Sequence, residues 1–362
     1  MSQQASVEMV PIRHVRRCAR LQRQRRDAAY PIPADRSFDI PLEYVRLRNG
    51  EQFLMYDSGS TDNNRILIFG TDRTMRLLGE TPHWFTDGTF KIVPEVFFQL
   101  YSVHVRTLNT VIPCVWALLP NKTQETYRRL FDQLKVLDPR LRPSSILMDF
   151  EKAAMVAARS TFADATIKGC FFHLAQNIYR KVQSVGLQER YQADTDFSLA
   201  VRFIPSLAFV PRDHVVDAFE TVQEVLPEEL TPILDYFEDT YVGRRRRGNQ
   251  RAAPLFDIDI WNVYDRADAE LPRTNNSVEG WHRKMQSAVS CQHPNLWRFL
   301  SVLQREQSFN DVVVDQLLGG HVADPPRKKY KDANARILTI VRDFANREIV
   351  DYLRGIAHNI SF

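Results

Sequence analysis

Between Trp84 and Leu118 the chain runs through three stretches dense in Val, Ile, Phe, Tyr and Trp: Trp84–Val93, Phe97–Arg106 and Val111–Leu118. Side chains of this kind suit a pleated surface, and links this short join antiparallel neighbours. The period then changes. Tyr127, Leu130, Phe131, Leu134 and Leu137 recur at helical spacing, and Pro139 and Pro143 close that helix. Ser145–Met148 reads as a short buried strand, Glu151–Phe162 as an Ala-rich helix, Thr166–Phe172 as a strand and Leu174–Val185 as a helix. Strands alternating with helices add in parallel. An antiparallel meander extended by parallel strands is therefore expected. Upstream, Gln52–Tyr56 and Arg65–Phe69 flank Ser-Gly-Ser-Thr-Asp-Asn and read as a hairpin.

This divides the chain into five parts. Residues 1–44 form a basic arm, expected to be poorly ordered. Residues 45–186 form the first part of an α/β core. Residues 187–270 break the alternation with helical patterns such as His214–Leu226 and Leu230–Tyr241, and read as a helical insertion. Residues 271–310 bring helices over Asn276–Val289 and Leu296–Gln307. Residues 311–362 read as a polar linker, over 319–334, and a final helix over Ala335–Arg354.

Charge is mildly basic, with 48 Lys and Arg against 44 Asp and Glu, but it is clustered. Arg13, Arg16, Arg17, Arg20, Arg23, Arg25 and Arg26 have no acid among them, and Arg244, Arg245, Arg246 and Arg247 are consecutive. Both clusters fit phosphate contacts, with a solvated arm or loop tip as the plainer alternative. Cys18, Cys114, Cys170 and Cys291 contain no Cys-x-x-Cys pair, which argues against a self-contained zinc finger and for a reducing compartment. No apolar run reaches the ~18 residues of a membrane span. A nuclear location is expected. At 44% hydrophobic and 25% charged residues, the composition excludes a mainly disordered or collagen-like chain.

Three carboxylates stand out by position. Asp87 precedes Gly88 between apolar runs, so a hairpin turn competes with a place on the first core strand. Asp149 ends the Ser145–Met148 strand, where it could cap the next helix or face the crevice at the strand's carboxyl end. Glu279 could close a capping box with Asn276, or point inward from the first turn of its helix. Taken jointly, their order resembles a ribonuclease-H-like fold carrying an Asp-Asp-Glu triad. Such a triad suits phosphodiester chemistry, in which two Mg²⁺ or Mn²⁺ ions need oxygen ligands shared with substrate phosphate.

His83–Phe90, Ala117–Lys122, Met148–Ala153, Gly169–His173 and Thr274–His282 together resemble the transposase domain of Mutator-like elements. The resemblance spans about residues 45–305. It implies a ribonuclease-H-like mixed sheet with flanking helices and an all-helical insertion, and metal-dependent DNA strand cleavage and transfer. It assigns catalysis and metal binding to Asp87, Asp149 and Glu279. It implies DNA as partner, both transposon ends and target, and leaves open a homo-oligomer on DNA. The family's Cys-x-x-His motif matches Cys170 and His173; with His282, these are expected to support the site. Cys170 could equally be a small buried apolar residue. Relatives often carry an N-terminal zinc-binding domain, and no such Cys/His array precedes residue 45 here. A non-catalytic DNA-binding or chromatin protein derived from a transposase is the alternative.

Overall fold

The computed structural model describes residues 30–246, 250–321 and 328–360. Its centre is a seven-stranded mixed sheet. The strands are β1 (Leu54–Asp57), β2 (Leu67–Phe69), β3 (His83–Thr89), β4 (Gln99–Thr107), β5 (Thr110–Leu119), β6 (Ser145–Met148) and β7 (Thr166–Gly169). Their spatial order is β1-β2-β5-β4-β3-β6-β7. β3, β4 and β5 pair antiparallel, and β4 passes to β5 through Leu108 and Asn109, both at positive φ. That two-residue turn matches the twist of the flanking strands. β6 and β7 join parallel to β3, because helices Gln124–Leu137 and Lys152–Thr161 intervene.

Alternation along the strands gives the sheet two buried faces. Ile66, Ile68, Val115, Ala117 and Leu119 share one core with Tyr127, Leu130, Phe131 and Leu134 of the first crossover helix. Leu67, Phe69, Leu100, Trp116 and Leu118 share another with Trp281, Met285 and Val289 of helix Asn276–Val289, and with Leu296, Phe299, Leu300 and Leu303 of helix Leu296–Leu318. Successive side chains point to opposite faces, so one strand supplies both cores.

Several boundaries differ from expectation. β7 ends at Gly169 and the next helix starts at Phe171, so Cys170 sits at the junction instead of inside a strand. A helix over Asp72–Glu80, not foreseen, is capped reciprocally by Thr71 and Thr74. The helix expected to stop at Gln307 continues to Leu318. The final helix is two, Lys328–Arg342 and Ile349–Asn359, separated by a short turn at Phe344–Asn346. Residues 30–44, expected to be poorly ordered, are packed: Tyr30, Phe38 and Tyr44 surround the Trp297 ring, whose Nε1 donates to Pro31 O at 2.9 Å. Between Gln188 and Asp268 the described residues form helices and no named strand.

Candidate active site

Asp87 lies inside β3, where it pairs with Ser102 of β4; it is not in a turn. The strand continues through Gly88, where an added Cβ would meet Gln99 Oε1 at 2.8 Å. On the other side, β6 runs parallel with His83 opposite Ser145 and Phe85 opposite Leu147. That register is an offset of 62 residues, which is also the separation of Asp87 and Asp149. The two carboxylates therefore leave adjacent parallel strands at the same level, at the carboxyl end where α/β sheets open a crevice.

Neither capping alternative holds. The helix after Asp149 starts at Lys152 with Glu151 as its N-cap and no side-chain cap bond. The helix carrying Glu279 starts at Asn276, so Asn275 is its N-cap, again without a side-chain cap bond. Both carboxylates are thus left for other partners. The neighbour of Asp149 is held from below: the Phe150 ring packs edge-on against Tyr241 and Phe256 and over Gly169, where a Cβ would clash at 2.4 Å.

Two imidazoles gather the acids. His173, in the first turn of helix Phe171–Ser184, has Nε2 at 3.0 Å from Glu279 Oε1 and Nδ1 at 2.6 Å from Asp149 Oδ1. The second approach is off hydrogen-bond geometry, so those two buried atoms touch as an ionic contact with no hydrogen-bond partner. His282 Nδ1 lies 3.0 Å from Asp87 Oδ2. One ligand atom each from Asp87, His173 and Glu279 fall within 4.8 Å of one another. The structure therefore brings Asp87, Asp149, Glu279, His173 and His282 into one cluster.

The electrostatics follow from burial and crowding. Burial raises the Asp87 carboxyl to about 6 against the pull of His282, and the negative charge of Asp149 adds to the rise. Burial would lower the His173 imidazole, but Asp149, the Cys170 thiol and Glu279 outweigh it and push it up to about 12. The His173 hydrogen bond holds Glu279 below its ordinary value, against burial. His173 is thus a cation between two carboxylates.

Cys170 ties two helix starts together. Its thiol donates to Asn275 Oδ1 at 2.7 Å and accepts from Asn275 N at 3.3 Å, while Phe171 N donates to Arg273 O at 3.0 Å. These bonds stitch the start of the Glu279 helix to the start of the His173 helix. Cys170→Ser should therefore keep most of the stability, and Cys170→Ala should lose about 1–2 kcal/mol by leaving Asn275 unsatisfied. Urea unfolding reads the order. If the alanine variant is the more stable of the two, Cys170 is an apolar filler.

Ser102 and His104 escaped the sequence reading. Ser102 Oγ lies 3.3 Å from His282 Nε2 and 2.8 Å from His104 Nε2, extending the Asp87–His282 pair into the sheet. Burial, with the charge of His282 adding to it, drives the His104 pKa well below its ordinary value, so this imidazole is neutral. The available signal was two polar residues at alternate positions in the apolar middle of the strand, Leu100–Val105.

Arg16, Arg17 and Arg247 lie outside the described residues. The phosphate contacts expected of Arg244–Arg247 meet competition from acids: Arg244 pairs with Asp235, Glu238 and Asp239, and the nearby Arg251 with Glu220 and Glu238. Arg245 lies 3.8 Å from Glu220, and Arg246 is exposed.

Residues 83–177 match the family model of the MULE transposase domain. The match includes Asp87, Asp149, Cys170 and His173 and ends before Glu279. It supports a transposase-type enzyme family and a transposase-related function. No curated protein matches the chain. Among the described residues no helix is long and apolar enough to cross a membrane.

Proposed function

We propose that this chain is a DNA transposase core that cleaves and transfers DNA strands with divalent metal at Asp87, Asp149 and Glu279, on a ribonuclease-H-like fold. The observation that carries the reading is the meeting of three carboxylates from distant segments around His173 and His282. The run β5-β4-β3-β6-β7, three antiparallel strands followed by two parallel ones, supports the fold assignment.

The donor set fits a hard divalent cation. Oxygens of Asp87 and Glu279 lie within 4.8 Å of each other, and Asp149 Oδ1 lies 2.6 Å from Nδ1 of the same His173 whose Nε2 meets Glu279. Asp87, Asp149 and Glu279 would hold Mg²⁺ or Mn²⁺, which when bound activates the attacking oxygen and stabilises the leaving one. His282 orients Asp87 through Nδ1. His173 carries its proton between Asp149 and Glu279 and offsets part of their negative charge. Arg246, exposed beside the ion-paired Arg244, is available for DNA phosphate. The reading implies action in the nucleus.

Incubation with supercoiled plasmid tests it. Nicked and joined products should form with Mg²⁺ or Mn²⁺ and not in EDTA. Plasmid binding without any metal-dependent break would instead support the non-catalytic DNA-binding protein.

A further inference from the structure

Immediately past the end of β3, two residues beyond Gly88, the chain leaves an aromatic ring in solvent. Phe90 is 41% exposed and Phe98, which precedes β4, is 46% exposed. The two rings meet edge to face with centroids 5.4 Å apart. The connection between them has no shortage of places to bury apolar groups: Ile92, Val93 and Phe97 are all buried in the second core. It is also held firmly, because Arg36 donates to Val96 O, His293 N donates to Lys91 O and the His293 ring contacts Val93 O. The exposed pair is therefore a fixed feature of an anchored loop.

Two lysines accompany the pair. Lys122 Nζ lies 6.0 Å from the centre of the Phe90 ring, and both Lys91 and Lys122 are exposed. Phe90 lies three residues past Asp87, and Phe98 and Lys122 lie at the same edge of the sheet, where β4 begins and β5 ends. Aromatic faces beside lysines bind single-stranded nucleic acid, because bases stack on the rings while the cations follow the backbone. A regular duplex keeps its bases inside and offers no such face.

We propose that Phe90 and Phe98, with Lys91 and Lys122, form a stacking platform for an unpaired base of the DNA strand beside the carboxylate cleft. This rests on the transposase reading and adds to it a preference for locally unpaired DNA at the site. A protein partner on the same rings is the competing occupant.

The test uses the full chain in EDTA, where no strand is cut. The probes are a single-stranded DNA 20-mer with 2-aminopurine at successive positions and a blunt duplex of the same sequence. The unmodified chain should change the 2-aminopurine signal at one or two positions. The double variant Phe90→Ala, Phe98→Ala should lose that signal and bind the single strand about 10-fold more weakly, with duplex affinity changed less than about twofold. Phe90→Trp should keep the signal, which separates stacking from general damage to the loop. Unaltered signal and affinity in the double alanine variant overturn the platform, whatever the plasmid assay shows. A chain that cuts plasmid but is indifferent to these substitutions loses only the platform. A chain that binds neither probe loses both readings. Single-strand stacking without plasmid cleavage keeps the platform and removes the catalytic assignment.

Discussion

Glu279→Gln should abolish metal-dependent plasmid cleavage, by about 10³-fold or more, while leaving the chain folded. A hard cation is held through anionic oxygen, and a bound cation contributes several kcal/mol to the charged transition state, each 1.4 kcal/mol being about tenfold. The glutamine still accepts from His173 Nε2, 3.0 Å away, so the local packing survives. Because Glu279 does not cap its helix, Glu279→Ala is an equally informative companion. Both variants should share the cleavage loss; circular dichroism melting should place Glu279→Gln within a few degrees of the parent and Glu279→Ala lower, because alanine leaves His173 Nε2 without its carboxylate. Wild-type cleavage in either variant removes Glu279 from the metal site and leaves Asp87 and Asp149 without their third ligand.

His173→Ala should give the largest stability loss at the site in EDTA. Removing one partner of a buried ion pair costs roughly 3–5 kcal/mol, because the remaining charge is left uncompensated. Here Asp149 is 36% exposed and Glu279 31%, so water screens the exposed carboxylates and about 2 kcal/mol is expected. The pH dependence has a definite sign. The imidazole pKa is raised in the folded chain from 6.5 to about 12, so its stabilisation is complete below pH 6.5 and fades as pH rises toward the folded value. The gap between parent and variant should therefore be widest in mild acid and narrow steadily in alkali. Mg²⁺ should raise the melting temperature of the variant more than that of the parent, since the cation replaces the missing positive charge. Equal stability of the two proteins across this range would remove His173 as the neutralising group.

Much of the architecture was legible because it rests on local chemistry. The dense β-branched and aromatic runs appear as β3, β4 and β5, and the helical spacing from Tyr127 to Leu137 appears as a helix. Helix ends were less legible. An N-cap depends on where one side chain finds a donor, and Asn275 and Asn276 are chemically identical candidates. The Asp72–Glu80 helix was hidden for a related reason: its capping box pairs Thr71 with Thr74, where the recognisable pattern has Glu or Gln at the fourth position. Arg244 shows the converse. Its acid partners Asp235 and Asp239 are nearby in sequence, yet a run of arginines draws the eye to its own charge and away from the turn before it.

The sequence by itself determined the alternation of elements and the placing of Asp149 and Glu279 at element ends, while it left Asp87 between a turn and a strand. The spacing of Asp87 and Asp149 even equals the β3–β6 register, because that register is set by the lengths of the elements between them. Only the tertiary structure decided what those carboxylates face. His173 stands 106 residues from Glu279, His282 stands 180 from Ser102, and Cys170 stands 105 from Asn275. No local rule brings such pairs together. They meet because a sheet with two buried faces draws the Asn276–Val289 helix onto β3 and β4, and burial then makes each polar group seek its partners among the few polar neighbours left there.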